Sequence, residues 1–159
     1  MTRIQFSVIA AAGSALLLLG AFGFEHLGGL APCKLCLWQR WPHAAAVLIG
    51  ALVLIVNQRW AVWLAWLGAC AAATTAVIGV YHTGVERGWW EGPTTCSGGG
   101  GSLDLGAMSG AQLLSMDGPV NIVMCDEVAW QMLGLSMASW NTVASLVLVG
   151  FWIKAALQK

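Results

Sequence analysis

Charge is what this chain lacks most. Only 9% of its 159 residues are Asp, Glu, Lys or Arg, where an ordinary soluble domain carries about 25%. So little charge cannot cover a soluble surface of this size. With 58% of the residues hydrophobic, the composition assigns the chain to a lipid bilayer. The charge present balances to zero, so no polyanionic or polycationic partner is implied. A basic patch and a nucleic-acid recognition motif are both missing, which removes nucleic acid as a partner. No nicotinamide or flavin motif is present. Nor is there a second Cys/His pair at the spacing a closed four-ligand zinc site needs, so no metal is assigned.

What the chain does contain is long apolar runs. A helix needs about 20 apolar residues to cross a bilayer, and four stretches qualify: residues 4–24, 40–56, 60–81 and 138–157. The fold class expected is an all-α integral membrane protein, a four-transmembrane-helix bundle forming one domain over residues 1–159. Its two outward-facing loops are 25–39 and 82–137, the second long and flexible. The 40–56 stretch is short and spans only if its helix begins near Gln39 or Arg40, which puts Pro42 in the first turn, where its missing N–H costs nothing. The first run follows Arg3 but is longer than the roughly 7–15 residues of a signal h-region, so it reads as a retained helix.

Arg3, Arg59, Lys154 and Lys159 fall on the side of the termini, and Lys34, Arg40 and Arg87 on the other. That bias favours cytoplasmic termini. Asn57-Gln58-Arg59 reads as a tight cytoplasmic turn that makes the second and third spans antiparallel neighbours. Tryptophans at 38, 41, 60, 63, 89, 90 and 140 suit the headgroup level. The outer loop carries Gly98-Gly99-Gly100-Gly101-Ser102, a flexible run that is either native or an engineered linker. Scattered apolar positions from Leu103 to Met116 suggest a short helix on the membrane surface.

Five cysteines are present: Cys33, Cys36, Cys70, Cys96 and Cys125. Four lie outside the apolar runs, which suggests two disulfides and an oxidising compartment such as the bacterial periplasm. Cys70 lies inside the third span and reads as a small buried hydrophobe. Cys33 and Cys36 form a Cys-x-x-Cys pair, a redox motif outside a metal context. At a membrane surface such a pair can reach a lipid-soluble electron carrier. A helix starting just after them would favour the thiolate through its N-terminal partial charge. Cys96 and Cys125 flank the glycine run and are either a structural staple or an exchanging disulfide, which needs access to sulfur. The four cysteines allow three pairings.

Arg40 stands at a helix end near the bilayer. It either snorkels to the headgroups or offers charge and hydrogen bonds to a quinone carbonyl. His82, at the outer end of the third span, is either interfacial or a proton donor at the same site. His26 and His43 have weaker cases, and Glu25 reads as solvated.

Together these residues resemble the disulfide bond formation protein B (DsbB) family of bacterial inner-membrane quinone reductases, which reoxidise the periplasmic dithiol oxidase DsbA. The run Pro32-Cys33-Lys34-Leu35-Cys36-Leu37-Trp38-Gln39-Arg40 is similar to the family's Pro-Cys-x-x-Cys-x-x-x-Arg signature. The stretches Tyr81-His82-Thr83-Gly84-Val85-Glu86 and Gly134-Leu135-Ser136-Met137-Ala138-Ser139-Trp140-Asn141 also resemble it. Gln39 stands where some members carry an acid, the Gly-Ser run is unusual, and Cys70 matches nothing in the family.

The resemblance implies a multi-pass protein of the inner membrane with cytoplasmic termini and periplasmic cysteine loops. Its partners would be a DsbA-like periplasmic thiol oxidase, the membrane quinone pool and the lipid bilayer, with ubiquinone or menaquinone as cofactor. Cys33 and Cys36 would be the quinone-proximal pair, with Cys36 against the ring and Arg40 lining its site. Cys96 would take the first attack from the partner thiolate, and Cys125 would complete that pair. A dithiol oxidase such as DsbA, near −120 mV, needs a still stronger acceptor, which a quinone supplies. A vitamin K epoxide reductase-like protein would carry its quinone-proximal Cys-x-x-Cys just before the last span, where this chain has none. The remaining alternative is a non-catalytic membrane scaffold with two stapling disulfides.

Overall fold

The computed structural model describes residues 1–93 and 124–158. Cys96, the Gly-Ser run and the expected surface helix from Leu103 to Met116 lie outside the described residues. The elements in chain order are α1 (Arg3–His26), α2 (Lys34–Val53), α3 (Gln58–Glu86), β1 (Gln131–Met132), β2 (Leu135–Ser136) and α4 (Met137–Leu157). By length and composition α1, α3 and α4 are apolar enough to cross a membrane. Contacts run α1–α2, α2–α3, α3–α4 and α4–α1, so the four helices close a ring.

Each helix is started by a side chain that satisfies an otherwise orphaned backbone N–H. Thr2 opens α1 in a reciprocal capping box with Gln5. Asn57 Oδ1 accepts from the Trp60 amide at 3.3 Å to open α3. Ser136 Oγ accepts from the Ser139 amide at 3.2 Å to open α4. Cys33 Sγ accepts from the Cys36 amide at 3.3 Å to open α2, so a redox-motif sulfur is also a helix cap.

Three local expectations change. Because α2 begins at Lys34, Pro42 falls well inside it rather than in its first turn, and Pro42 has no N–H to offer the Trp38 carbonyl. The α2–α3 connection lies ahead of Asn57, and Gln58 and Arg59 already belong to α3. α3 continues to Glu86, so His82 sits in helix rather than in the outer loop.

The interior is built from small residues. Ala10, Ala46, Ala65, Ala72 and Ala155 surround a fully buried Trp152, while Leu16, Trp41 and Ile55 face outward. Close approach of small residues, with bulky apolar side chains turned to lipid, is how helices associate where no water drives them together. Gly68 makes the point: a Cβ there would come within 2.5 Å of the Trp152 ring. Cys70 lies on the outer face of α3 and is exposed, not buried among the helices as its place in an apolar run suggested. In a lipid-facing helix the outside is as apolar as the inside, so hydropathy does not separate the two.

Arg3, counted in the sequence as a flanking charge, is buried. Its Nε donates to the Ala155 carbonyl at 3.2 Å and its guanidinium also reaches the Gln158 carbonyl. Nη1 donates to Gln58 Oε1 at 2.5 Å. One cation thereby satisfies the carbonyl end of α4, where the helix dipole favours positive charge, and ties it to the starts of α1 and α3.

β1 and β2 form an antiparallel hairpin with Gln131 opposite Ser136 and Met132 opposite Leu135. Leu133 and Gly134 both have positive φ, 55° and 77°, the signature of a two-residue type I′ turn. The hairpin leads directly into α4 at the end of the bundle where α1 finishes and α2 begins. Phe24 of α1 packs on Trp130 beside it, ring centroids 5.2 Å apart.

Candidate functional site

The cap of α2 places Cys33 and Cys36 one turn apart on the same side. Their sulfurs are 3.1 Å from each other, with Cys33 as the donor, and both lie ahead of the apolar stretch that starts at Arg40. The hydrogen bond to Cys36, reinforced by burial, pushes the Cys33 thiol up to about 12. The same bond favours negative charge on the other sulfur, so Cys36 is held below its ordinary value, and a hydrogen bond from the Cys33 backbone acts in the same direction. The pair is chemically asymmetric: Cys36 is the sulfur that ionises more readily, and Cys33 is the one that keeps its proton.

Cys125 is fully buried in the same cluster as Cys33, Leu35 and Val85, with Cys36 packed against it. The sequence places Cys125 at the far edge of a long outer loop beside Cys96. The structure seats it on the first pair. Cys96 lies outside the described residues.

Arg40, one turn after Cys36, does not extend into solvent. Its Nη1 donates to Glu25 Oε2 at 2.5 Å, and its guanidinium lies over the Phe22 ring at 4.8 Å. Glu25 is therefore an ion-pair partner rather than the solvated carboxylate expected. His26 is exposed, its Nδ1 3.1 Å from the Phe22 carbonyl.

His82 is buried at 3% exposure. Its Nε2 lies 3.5 Å from Cys33 Sγ and 3.8 Å from Glu86 Oε1. Ser136 donates to the second oxygen of Glu86. On the other side of the ring, His82 Nδ1 lies 2.9 Å from Gln39 Nε2.

From Gln39 a polar chain continues into the bundle. Asn141 Nδ2 donates to Gln39 Oε1 at 2.6 Å, and Asn141 Oδ1 lies 3.0 Å from His43 Nε2. Ser145 Oγ approaches the same His43 nitrogen at 3.4 Å. Sequence reasoning passed over Gln39, Glu86 and Asn141 and ranked His43 low. The signal it could have used is polarity at helical spacing inside an apolar run: Gln39 and His43 lie one turn apart on α2, as His82 and Glu86 do on α3. Buried polar groups of this kind are kept only when hydrogen-bonded.

Cys33, Cys36, Gln39, Arg40, His43, His82 and Asn141 line a cavity of about 380 Å³ between the ends of the four helices and the hairpin. Its walls are mainly apolar, including Leu17, Phe24, Trp130 and Met132, while Cys36 and Arg40 form part of its polar lining. Among the described residues, Arg40 Nε and His43 Nδ1 are buried without a hydrogen-bond partner. An apolar cavity with a few converging polar groups is the usual form of a small-molecule site. A flat, apolar ring carrying oxygens suits this lining, and an unpaired cationic N–H suits a carbonyl oxygen.

Cys33, Cys36 and His82 also bring three potential ligand atoms within 4.8 Å of one another. A closed structural zinc site takes four ligands.

Comparison with known proteins agrees with this geometry. The sequence profile described as disulfide bond formation protein DsbB matches residues 3–155. Disulfide bond formation protein B of Stutzerimonas stutzeri is 30% identical over 152 residues, covering 91% of this chain and 90% of that protein. Its counterpart in Aeromonas hydrophila is 27% identical over 144 residues, covering 87% and 78%. An uncharacterized protein of Rickettsia prowazekii, RP370, is 26% identical over 139 residues, again covering 87% and 78%. No solved structure matches significantly. With a profile match over nearly its whole length, and with a close-set cysteine pair at the end of an apolar helical bundle, this chain belongs to the disulfide bond formation protein B family, the membrane oxidoreductases that generate disulfides.

Proposed function

We propose that the protein is a membrane thiol:quinone oxidoreductase that reoxidises a DsbA-like periplasmic dithiol oxidase. The observation that carries this reading is the placement of Cys36 and Arg40 on one apolar cavity. A bound ubiquinone or menaquinone supplies a two-electron, two-proton acceptor. Arg40 binds its oxygen and stabilises the negative charge that grows there, in a poorly hydrated place where electrostatics are weakly screened. The apolar walls exclude water from the ring.

Electrons enter at the second pair. The partner's thiolate attacks Cys96, and the partner leaves as a disulfide while Cys96 and Cys125 become a dithiol. That dithiol reduces the Cys33–Cys36 disulfide by thiol exchange, and the burial of Cys125 against Cys33 supports direct transfer between the two pairs. Oxidation of the Cys33/Cys36 pair would then close their S–S bond and release two electrons to a bound quinone, with one proton from the Cys33 thiol and the second from water. The asymmetry of the pair suits this step, because the thiolate on Cys36 is the electron-rich sulfur next to the cavity.

The fourth span is α2. Its first turns carry Lys34, Gln39 and Arg40, which lowers its apolar character, but it packs alongside both α1 and α3 in a closed ring and so shares their depth. The protein then sits in the bacterial inner membrane with cytoplasmic termini, and both cysteine-bearing segments face the periplasm. The direct test uses the purified protein in lipid nanodiscs with a reduced dithiol oxidase and a water-dispersible ubiquinone. Stoichiometric loss of quinone and of partner thiols is expected. Partner oxidation without quinone loss would overturn the reading, and so would full retention of the Cys33/Cys36 thiols in excess quinone.

A further inference from the structure

One residue fixes the proton positions around the thiol pair. Gln39 is buried at 6% exposure, and its Nε2 lies 3.3 Å from the Leu35 carbonyl oxygen. A carbonyl only accepts, so this contact identifies the amide nitrogen and sets the orientation of the whole side chain. The same NH₂ group faces His82 Nδ1 at 2.9 Å. An amide NH₂ only donates, so Nδ1 must be the bare, accepting nitrogen. A neutral imidazole with a bare Nδ1 carries its proton on Nε2. Nε2 faces Cys33 Sγ at 3.5 Å and Glu86 Oε1 at 3.8 Å, and both neighbours call for a donor there. The opposite end of Gln39 is consistent, since its Oε1 accepts from Asn141 Nδ2 at 2.6 Å.

We propose that Gln39 is a positioning residue that gives the site a single hydrogen-bond direction, from the Gln39 amide to His82, from His82 Nε2–H to Cys33 and from the Cys33 thiol to Cys36. His82 is then a hydrogen-bond donor to the pair and not the base that takes its proton. Accepting a proton at Nδ1 would turn that nitrogen against the Gln39 NH₂, which is anchored by Leu35 and has no acceptor to present. Hydrogen bonds aligned head to tail polarise one another, so an amide that touches neither sulfur strengthens the bond that Cys33 donates to Cys36; the His82 contact by itself lowers the Cys33 thiol, but the Cys36 bond and burial outweigh it. The inference rests on Cys33 and Cys36 being the redox pair of the proposed function.

Other ionisable groups also face Cys36. Glu86 from α3 and Cys125 from the segment before β1 both disfavour its thiolate. Arg40 follows one turn later on α2, bound to Glu25 of α1. A Gln39→Met substitution changes none of them. It keeps the length of the side chain and removes the donor to His82.

Two measurements on the full-length reduced protein, with neither quinone nor partner added, test the proposal. The first is nitrogen NMR of the histidine rings in the wild-type protein, with His82 assigned from a His82→Asn control. A neutral ring with bare Nδ1 and protonated Nε2 is expected, and a proton on Nδ1 overturns the proposal without need of a Gln39 variant. The second is the pH profile of Cys36 alkylation. In Gln39→Met the rate below the thiol pKa is expected to fall about tenfold, one pKa unit, while the high-pH plateau is unchanged. A merely structural defect would shift the rate at every pH. An unchanged profile in a folded Gln39→Met protein overturns the proposal. Failure of the thiol:quinone reading shows separately, as Cys33/Cys36 thiols that excess quinone does not oxidise in the wild type.

Discussion

Arg40 of α2 and Glu25 of α1 are joined across 2.5 Å, and this contact turns the arginine away from solvent while leaving its Nε unpaired. The ion pair is not wholly buried, with side-chain exposures of 16% and 28%, so its net contribution to stability is small. Its consequence is positional. One end of a planar, permanently charged group is fixed by the carboxylate, and Phe22 lies under its face.

Arg40→Ala is therefore expected to raise the apparent KM for quinone about tenfold or more, corresponding to loss of a charge-assisted hydrogen bond of about 1.5–3 kcal/mol. The KM for the protein partner should stay within about twofold, as the effect of a substitution away from its docking loop. Arg40→Lys should fall between the two enzymes, since charge remains while the fork is lost. Steady-state kinetics with quinone and partner varied separately check this. Unchanged quinone kinetics in Arg40→Ala would leave Arg40 as an anchor only.

The two thiols of the first pair should differ in reactivity with a clear sign. A raised pKa keeps Cys33 protonated until the pH approaches about 12, whereas the lowered pKa of Cys36 enlarges its thiolate fraction at neutral pH. Iodoacetamide should modify Cys36 before Cys33 in the reduced protein at pH 7, because the thiolate is the nucleophile. Peptide mapping by mass spectrometry reads the order, and preferential labelling of Cys33 would contradict it.

Cys96→Ser should abolish oxidation of the dithiol partner while quinone still oxidises the Cys33/Cys36 pair. The proposed relay order requires this, since it gives Cys96 the partner's attack. Thiol counts after quinone addition, set beside partner oxidation rates, separate the two steps. A Cys96→Ser protein that oxidises its partner at the wild-type rate would make the second pair a staple.

Cys70→Ala should change turnover by less than about twofold. Cys70 is on the outer face of α3, away from the cavity, and its carbonyl accepts from Thr74 Oγ1 at 2.9 Å, a bond the substitution leaves in place. A tenfold loss of turnover in folded protein, about 1.4 kcal/mol in the barrier, would show a role for the thiol.

Arg3→Met should lower stability by about 2–3 kcal/mol, the scale of losing hydrogen bonds from a charged group to buried carbonyls. The quinone KM should not move, because Arg3 lies at the far end of the bundle from Arg40. Thermal unfolding in detergent with quinone kinetics on the same preparation gives both readings. A wild-type melting temperature would mean that water satisfies the α4 carbonyls as well as Arg3 does.

The resemblance to the family was legible because its signals are local. A bilayer selects for apolar runs of fixed length, so α1, α3 and α4 can be read from hydropathy alone. Cys33 and Cys36 are three residues apart, and their closeness follows from the start of α2 whatever the rest of the chain does. Arg40 is one turn further along the same helix.

What only the tertiary structure decided depends on which helix faces meet. Hydropathy does not tell the interior of the bundle from its lipid face, so it leaves the exposure of Cys70 undecided, and no spacing rule pairs Glu25 with Arg40. The approach of Cys125 to Cys33, and the chain from Asn141 through Gln39 and His82 to the thiols, join residues far apart in sequence. No spacing rule connects them. They meet because small residues let four helices pack closely around a buried polar chain, whose members are held by hydrogen bonds to one another.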